Sequence, residues 1–331
     1  MAHQVRANSN EVFDSLILGA ERNVYRNPLE AKSIATTILE EAKLSGSELY
    51  QAKALKVIGG SHFIMGDYDV ALENFLDSYS FFLLLENSTN VSRLLSNVGL
   101  VCKNIGDFEA SLDYYNEALD FSYTTDTLTN SRRLNNIGVA YQHLEEHDAA
   151  KYFLEESLLL KTILNDKKGM ANTLTNLGNI AGAQGNFDLA LEYHQKSYDI
   201  EHEMSNDEGI AKSLDNIGST YLHMKNYEVA SKYAERALRI GEELGTKVQL
   251  KQTYQTLAAC HEAGESFKSA YCYQSLLTQI NESLMNEDIS RKMGRLESKL
   301  ELASHKAEIE KLSFKNQLSE LEMKQTQYHY R

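Results

Sequence analysis

A glycine returns along this chain at Gly19, Gly59, Gly99, Gly138, Gly178 and Gly218, in steps of 40, 40, 39, 40 and 40 residues. Ala258 holds the same place in a seventh unit. A fixed period of this size marks stacked supersecondary units, each completed by its neighbours because none can bury its own apolar face. The chain therefore reads as one repeated motif over residues 11–281. A flexible N-terminus at 1–10 precedes it and a long helix over 282–331 follows. In such a stack, function belongs to the surface that the units present together.

One unit shows how the motif works. Leu94, Leu95, Val98, Val101, Cys102 and Ile105 recur at helical spacing, with Gly99 in the middle of the stripe. A mid-helix glycine costs about 1 kcal/mol against alanine, so a recurring one marks close backbone approach. Gly106 and Asp107 then stop the helix and cap the next. The second helix turns Phe108, Leu112, Tyr115, Ala118 and Leu119 inward. Tyr68, Phe108, Phe187, Tyr227 and Phe267 open second helices at the same spacing and read as core. Twelve positions after each glycine from Gly59 stands a small residue: Ala71, Ser111, Ala150, Ala190 and Ala230, with Ala270 in the seventh unit. Asn27 and Pro28 cap a helix in the first unit, which lacks the loop glycine and suits a terminal cap.

This grammar resembles the tetratricopeptide repeat. The residues that carry the resemblance are LNNIGVAY from Leu134, LTNLGNIA from Leu174 and LDNIGSTY from Leu214, each followed by its small residue. The period is longer than the usual 34. It is similar to the group that includes kinesin light chain, Leu-Gly-Asn repeat adaptors and bacterial quorum-peptide receptors. The resemblance implies an all-α, right-handed superhelical solenoid of seven helical hairpins, with first helices lining a concave groove. It further implies binding of peptides or proteins, without catalysis by the repeats.

Two columns of side chains mark that groove. Asn97, Asn136, Asn176 and Asn216 each stand two positions before a glycine and so share one face. Such amides either bond the backbone of the next unit or grip an extended peptide through their paired donor and acceptor; the second reading is preferred, helped by the resemblance. Four residues earlier on that face stand Lys53, Arg93, Arg132, Asn172 and Lys212. Like charges on one stripe repel unless an anion arrives, so an acidic or C-terminal peptide segment is the expected partner, with a solvated rim as the plain alternative. Asn135, Asn179 and Lys103 widen the polar floor.

Net charge is −14, and residues 282–331 carry nine acidic and nine basic side chains, so the whole imbalance lies on the repeats. This argues against nucleic acid or an anionic membrane as partner. Cys102, Cys260 and Cys272 have no close spacing and read as reduced, buried or half-buried thiols of a cytoplasmic protein. No His, Cys or carboxylate grouping has metal-ligand or catalytic spacing, so no metal, cofactor or enzymatic role is expected. In the tail, Met293, Leu300, Ala307, Phe314, Leu321 and Tyr328 recur every seven residues, with Leu296 and Ala303 between. A coiled-coil homodimer through 289–307 is therefore expected. The helical composition running to Arg331 also resembles bacterial sensory proteins, in which such repeats precede a kinase or cyclase. The alternatives to a regulatory peptide receptor are thus a scaffold binding folded partners elsewhere, or the sensory part of a larger signalling enzyme.

Overall fold

The computed structural model describes residues 2–122 and 127–287, and their side chains over 11–121 and 127–287. The described residues form helices and turns, with no strand among them. Helices α1 (Ala2–Asn23) and α2 (Pro28–Ser45) make the first unit, α3 (Glu48–Met65) and α4 (Tyr68–Leu84) the second. The third is α5 (Ser88–Ile105) with α6 (Phe108–Ser122), and the fourth α7 (Thr127–His143) with α8 (His147–Ile163). Then come α9 (Lys167–Ala183) with α10 (Phe187–Glu203), and α11 (Asp207–His223) with α12 (Tyr227–Leu244). In the seventh, α13 (Lys247–Ala263) pairs with a helix over 267–287, here α14.

The turns explain the length of each unit. The residue ending each first helix turns left-handed at Gly66 (φ 79°), Gly106 (φ 92°) and Gly185 (φ 78°), but also at Glu145, Lys225 and Glu265. The next amide then reaches back five residues, as Asp107 N–H does to the Cys102 carbonyl (3.0 Å) and Ser266 N–H to that of His261 (2.8 Å). Glu265, not the neighbouring Gly264, takes the left-handed place in the last unit. Asp107 caps α6 by accepting from Ala110 N–H at 3.0 Å, and Asn27 caps α2 ahead of Pro28.

The recurring glycines set how closely the two helices cross. A Cβ on Gly138 would lie 2.6 Å from Leu154 Cγ and 3.0 Å from the Ala150 carbonyl, the small residue twelve positions on. On Gly59 it would meet the Phe75 ring at 2.7 Å, and on Gly178 the ring of His194. A serine then ties most hairpins: Ser78 donates to the Ala52 carbonyl (2.7 Å), Ser157 to Ser131 (2.6 Å) and Ser197 to Ala171 (3.0 Å). In the third unit the direction reverses, with Ser92 on the first helix donating to the Ala118 carbonyl at 2.7 Å.

Curvature follows from which helices touch. First helices of successive units meet along the whole series α1, α3, α5, α7, α9, α11 and α13, whereas no two of the second helices α2 to α12 do. The first helices are the inner layer of the solenoid, and their free face lines its concave side.

Several expectations change in detail. The register glycine Gly19 meets nothing, because four residues join α1 to α2 where later units use two or three, and the pair stands wider. Helix α1 begins at Ala2, within the segment 1–10 set apart from the sequence; nothing there breaks a helix. Ile105 ends its helix exposed. The aromatics opening second helices are half-buried, not core: Phe108 stacks on His143 of the next unit at 4.3 Å, and Phe187 on His223 at 6.2 Å. Phe267 has no following first helix among the described residues and is 65% exposed. Cys102 and Cys260 are buried, but Cys272 is exposed. Helix α14 passes residue 281 unbroken to 287, and Lys247 on α13 holds Ser283 (2.8 Å) and Glu287. The expected coiled coil at 289–307 lies outside the described residues.

Candidate binding groove on the first helices

A polar seam runs between the units, one residue away from the asparagine column. From Gly99 on, the residue three before each glycine reaches the residue five before the next register position, directly or through a bridging serine. Arg133 Nε donates to Ser96 Oγ at 2.5 Å, Thr173 Oγ1 to Asn135 Oδ1 at 2.9 Å, and Thr253 Oγ1 to Asp215 Oδ1 at 2.8 Å. At the fifth junction Ser197 bridges Thr175 (3.1 Å) and Ser213 (3.3 Å). Arg133, Thr173, Ser213, Asp215 and Thr253 are all buried, so these bonds are sheltered from water and fix one unit against the next.

Three of the four asparagines stay out of the bonds between units; Asn136 takes one, from Lys103 of the preceding unit. All four are half-buried. Asn97 and Asn176 have no side-chain hydrogen bond among the described residues. Asn216 Nδ2 is enclosed without a partner. Asn136 alone is engaged, its Oδ1 accepting from Lys103 Nζ at 2.9 Å and its side chain also meeting the Tyr115 hydroxyl. An amide that is half out of water and unmatched by protein keeps both donor and acceptor for something else.

Cavities open along this face between described units. The first, of about 440 Å³, lies between α7, α8 and α9 and gathers Arg132, Asn135, Asn136 and Asn172 from the predicted set. To these the structure adds Lys161, Asp166, Lys168 and Gly169. Lys161 is 3% exposed, and its Nζ donates to Thr173 Oγ1 (2.7 Å) and Asn135 Oδ1 (3.3 Å), both neutral. Burial lowers its pKa to about 8; Asp166 opposes that shift and Arg132 adds to it. Asp166 is spent capping α9, its Oδ1 accepting from Gly169 N–H at 3.0 Å.

The second cavity, of about 650 Å³, lies between α11, α13 and α14 and holds Lys212 and Asn216. Asp215 borders it, and burial raises that carboxyl to about 7 against the lowering pull of bonds from Thr253 and Gln249. Thr246 Oγ1, also bordering it, is enclosed without a partner.

Other predicted residues fall outside these two cavities. Lys53 turns toward α1 and pairs with Asp14 at 2.6 Å, so it is neutralised in place. Arg93 is exposed and Asn97 half-buried on α5; Asn179 is exposed on α9 near Asn176. Lys161 was missed because it comes from a second helix. Its signal was Gly169: a Cβ there would lie 3.0 Å from Lys161 Cδ, and Gly209, 40 residues on, makes the same room for buried Glu201. No grouping of three or more His, Cys, Asp or Glu placed to hold a metal occurs among the described residues. Nor is any described helix long and apolar enough to cross a membrane.

Residues 50–123, 131–200 and 209–278 match the family described as tetratricopeptide repeat. The chain belongs to the tetratricopeptide repeat family. Each matched stretch covers two units, and the first unit, with its wide hairpin, falls outside them. Human G-protein-signaling modulator 1 is 34% identical over 90 residues, which are 27% of this chain and 13% of that protein. The chain thus matches only a small part of that relative's length. Among solved structures, the apo form of RapI is similar at 15% identity and TM-score 0.66, covering 83% of this chain and 99% of that one. A Rap protein complexed with competence and sporulation factor aligns at 13% identity and TM-score 0.57, over 83% of this chain and 99% of that one. These likenesses show the fold, an all-α tetratricopeptide solenoid.

Proposed function

We propose that this protein binds an extended peptide, or an extended segment of a protein, along the concave face of its first helices. The observation that carries this reading is the division of labour between neighbouring columns. The seam residues Ser96, Asn135 and Asp215 spend their side chains on the next unit, while Asn97 and Asn176 spend theirs on none of the described residues. A strand laid across them would offer backbone N–H and C=O groups at intervals that amides match without reading side chains. Arg132 and Lys212, exposed on the same face, favour an acidic ligand. A structurally similar Rap protein is complexed with competence and sporulation factor, which supports the same use of the fold here. The role is regulatory or sensory, with binding and no chemistry, in a cytoplasmic setting.

The test is selection of a displayed random-peptide library on the intact chain, with an Asn97→Ala, Asn176→Ala variant as the counter-selection. Peptides enriched on the wild type and lost from the variant, with a bias to Asp and Glu, are expected. Enrichment that is equal on both proteins contradicts the reading.

A further inference from the structure

The cavity between α7, α8 and α9 has a charge balance unlike the rest of the repeats. Three cations line it, Arg132, Lys161 and Lys168, against one carboxylate, Asp166. Among the described residues no carboxylate stands within ion-pair distance of Lys161; its near partners are the neutral oxygens of Thr173 and Asn135. Arg132 and Lys168 are exposed and unpaired among the described residues. In a chain of net charge −14, acidic side chains to neutralise these cations are plentiful, yet they are not supplied here. An uncompensated charge at a buried site is costly unless a counter-ion completes it.

The geometry keeps Lys161 in place. Its stem passes beneath the first turn of α9, where only glycine leaves room: a Cβ on Gly169 would press on Lys161 Cδ and on the Asp166 carboxylate. The ammonium is thereby seated at the cavity floor between Asn135 and Thr173, with one of its three N–H donors left over. Arg132 stands above it on α7, with a planar fork suited to paired oxygens. Asn172 adds a neutral donor at the rim.

The size of the excess names the ligand. Three cations less one carboxylate leave a surplus of two, which a phosphate monoester matches with about −1.5 to −2 charge at pH 7, and a single carboxylate does not. We propose that this cavity is a phosphoryl-binding site, in which Lys161, Arg132 and Lys168 receive the oxygens of a phosphate monoester or of free phosphate. The site stands on its own charges. Only the idea that the phosphoryl group arrives on a peptide rests on the proposed use of the groove.

The experiment is calorimetric titration of the intact chain at pH 7 and low salt with three probes: inorganic phosphate, a short neutral peptide bearing one phosphoserine, and its unphosphorylated form. Saturable binding of inorganic phosphate is expected, weakened at least tenfold by Arg132→Gln and by Lys161→Met. Lys232→Gln, on the exposed face of α12, leaves it unchanged. The phosphoserine peptide binding tenfold tighter than phosphate assigns the group to a peptide; equal affinity assigns the site to free phosphate. Phosphate binding also raises the titration of Lys161, followed by NMR, above about 8. The Asn97→Ala, Asn176→Ala variant keeps its phosphate affinity even where peptide binding is lost, which separates the two proposals. Absence of saturable phosphate binding, or equal binding by the wild type and Arg132→Gln, overturns this one.

Discussion

Thr173 donates to Asn135 at 2.9 Å across the junction of the fourth and fifth units, while the amide beside it, Asn136, accepts from Lys103 of the third unit at 2.9 Å. Both amides border the same cavity, and their chemistry is identical. Only their register separates them: Asn135, three positions before the glycine, meets the next unit, and Asn136, two positions before it, meets Lys103 of the preceding one.

The seam should therefore carry stability. Thr173→Val removes a buried hydroxyl that holds both Asn135 and Lys161, leaving their groups short of a partner. A loss of about 1–3 kcal/mol in urea unfolding is expected. A loss below about 0.5 kcal/mol would place the ties between units elsewhere.

Equal positions in the repeat should respond oppositely to alanine. Gly138→Ala drives a Cβ into Leu154 and the Ala150 carbonyl, and overpacking of this kind costs about 1–3 kcal/mol. Gly19→Ala meets nothing and removes a flexible residue from mid-helix, so it should gain about 0.5–1 kcal/mol. The midpoints of urea unfolding for the two variants decide it.

At the helix ends, Lys225 holds φ 62° in the turn where Gly106 and Gly185 stand in other units. A non-glycine residue there is strained by about 1–3 kcal/mol, part of which glycine returns in unfolded-chain entropy. Lys225→Gly is expected to raise stability by about 0.5–1 kcal/mol, and a fall in the unfolding midpoint would contradict that.

Asp215 makes stability depend on pH. Burial raises its carboxyl from 3.8 to about 7, so the folded chain holds a proton there that the unfolded chain releases. Its contribution is complete below pH 3.8 and is lost as pH rises through about 7. Asp215→Asn removes this slope. The wild-type stability minus that of the variant, measured by urea unfolding from pH 5 to pH 8, should fall with rising pH. His194, whose imidazole burial lowers to about 4, tilts both proteins alike and cancels in the difference.

The repeat was legible in the sequence because steric demand recurs: a glycine against a small residue twelve positions on leaves a periodic trace. The helix stops at Gly106 and Asp107, the cap at Asn27 and the inward set of α6 followed from the same local rules. Neighbour relations between units were harder to see. Lys53 lies in the cationic column by spacing, yet Asp14 of the preceding unit takes it out of the groove. Lys161 lies on a second helix, outside the columns read from the first, and reaches the groove only because Gly169 clears its path. The two uses of adjacent asparagines could not be separated by composition, since one residue of helical rotation decides which face each amide meets.

The central claim is that the asparagine column is reserved for a ligand. Its most direct test is a paired measurement on Asn97→Ala, Asn176→Ala: urea unfolding, and affinity for the best peptide from the library selection. The account predicts stability within about 0.5 kcal/mol of wild type, as for substitutions that break no internal bond, and affinity lowered at least tenfold. A loss of stability of about 2 kcal/mol or more with affinity unchanged would mean that these amides hold the stack together and that the ligand, if any, binds elsewhere.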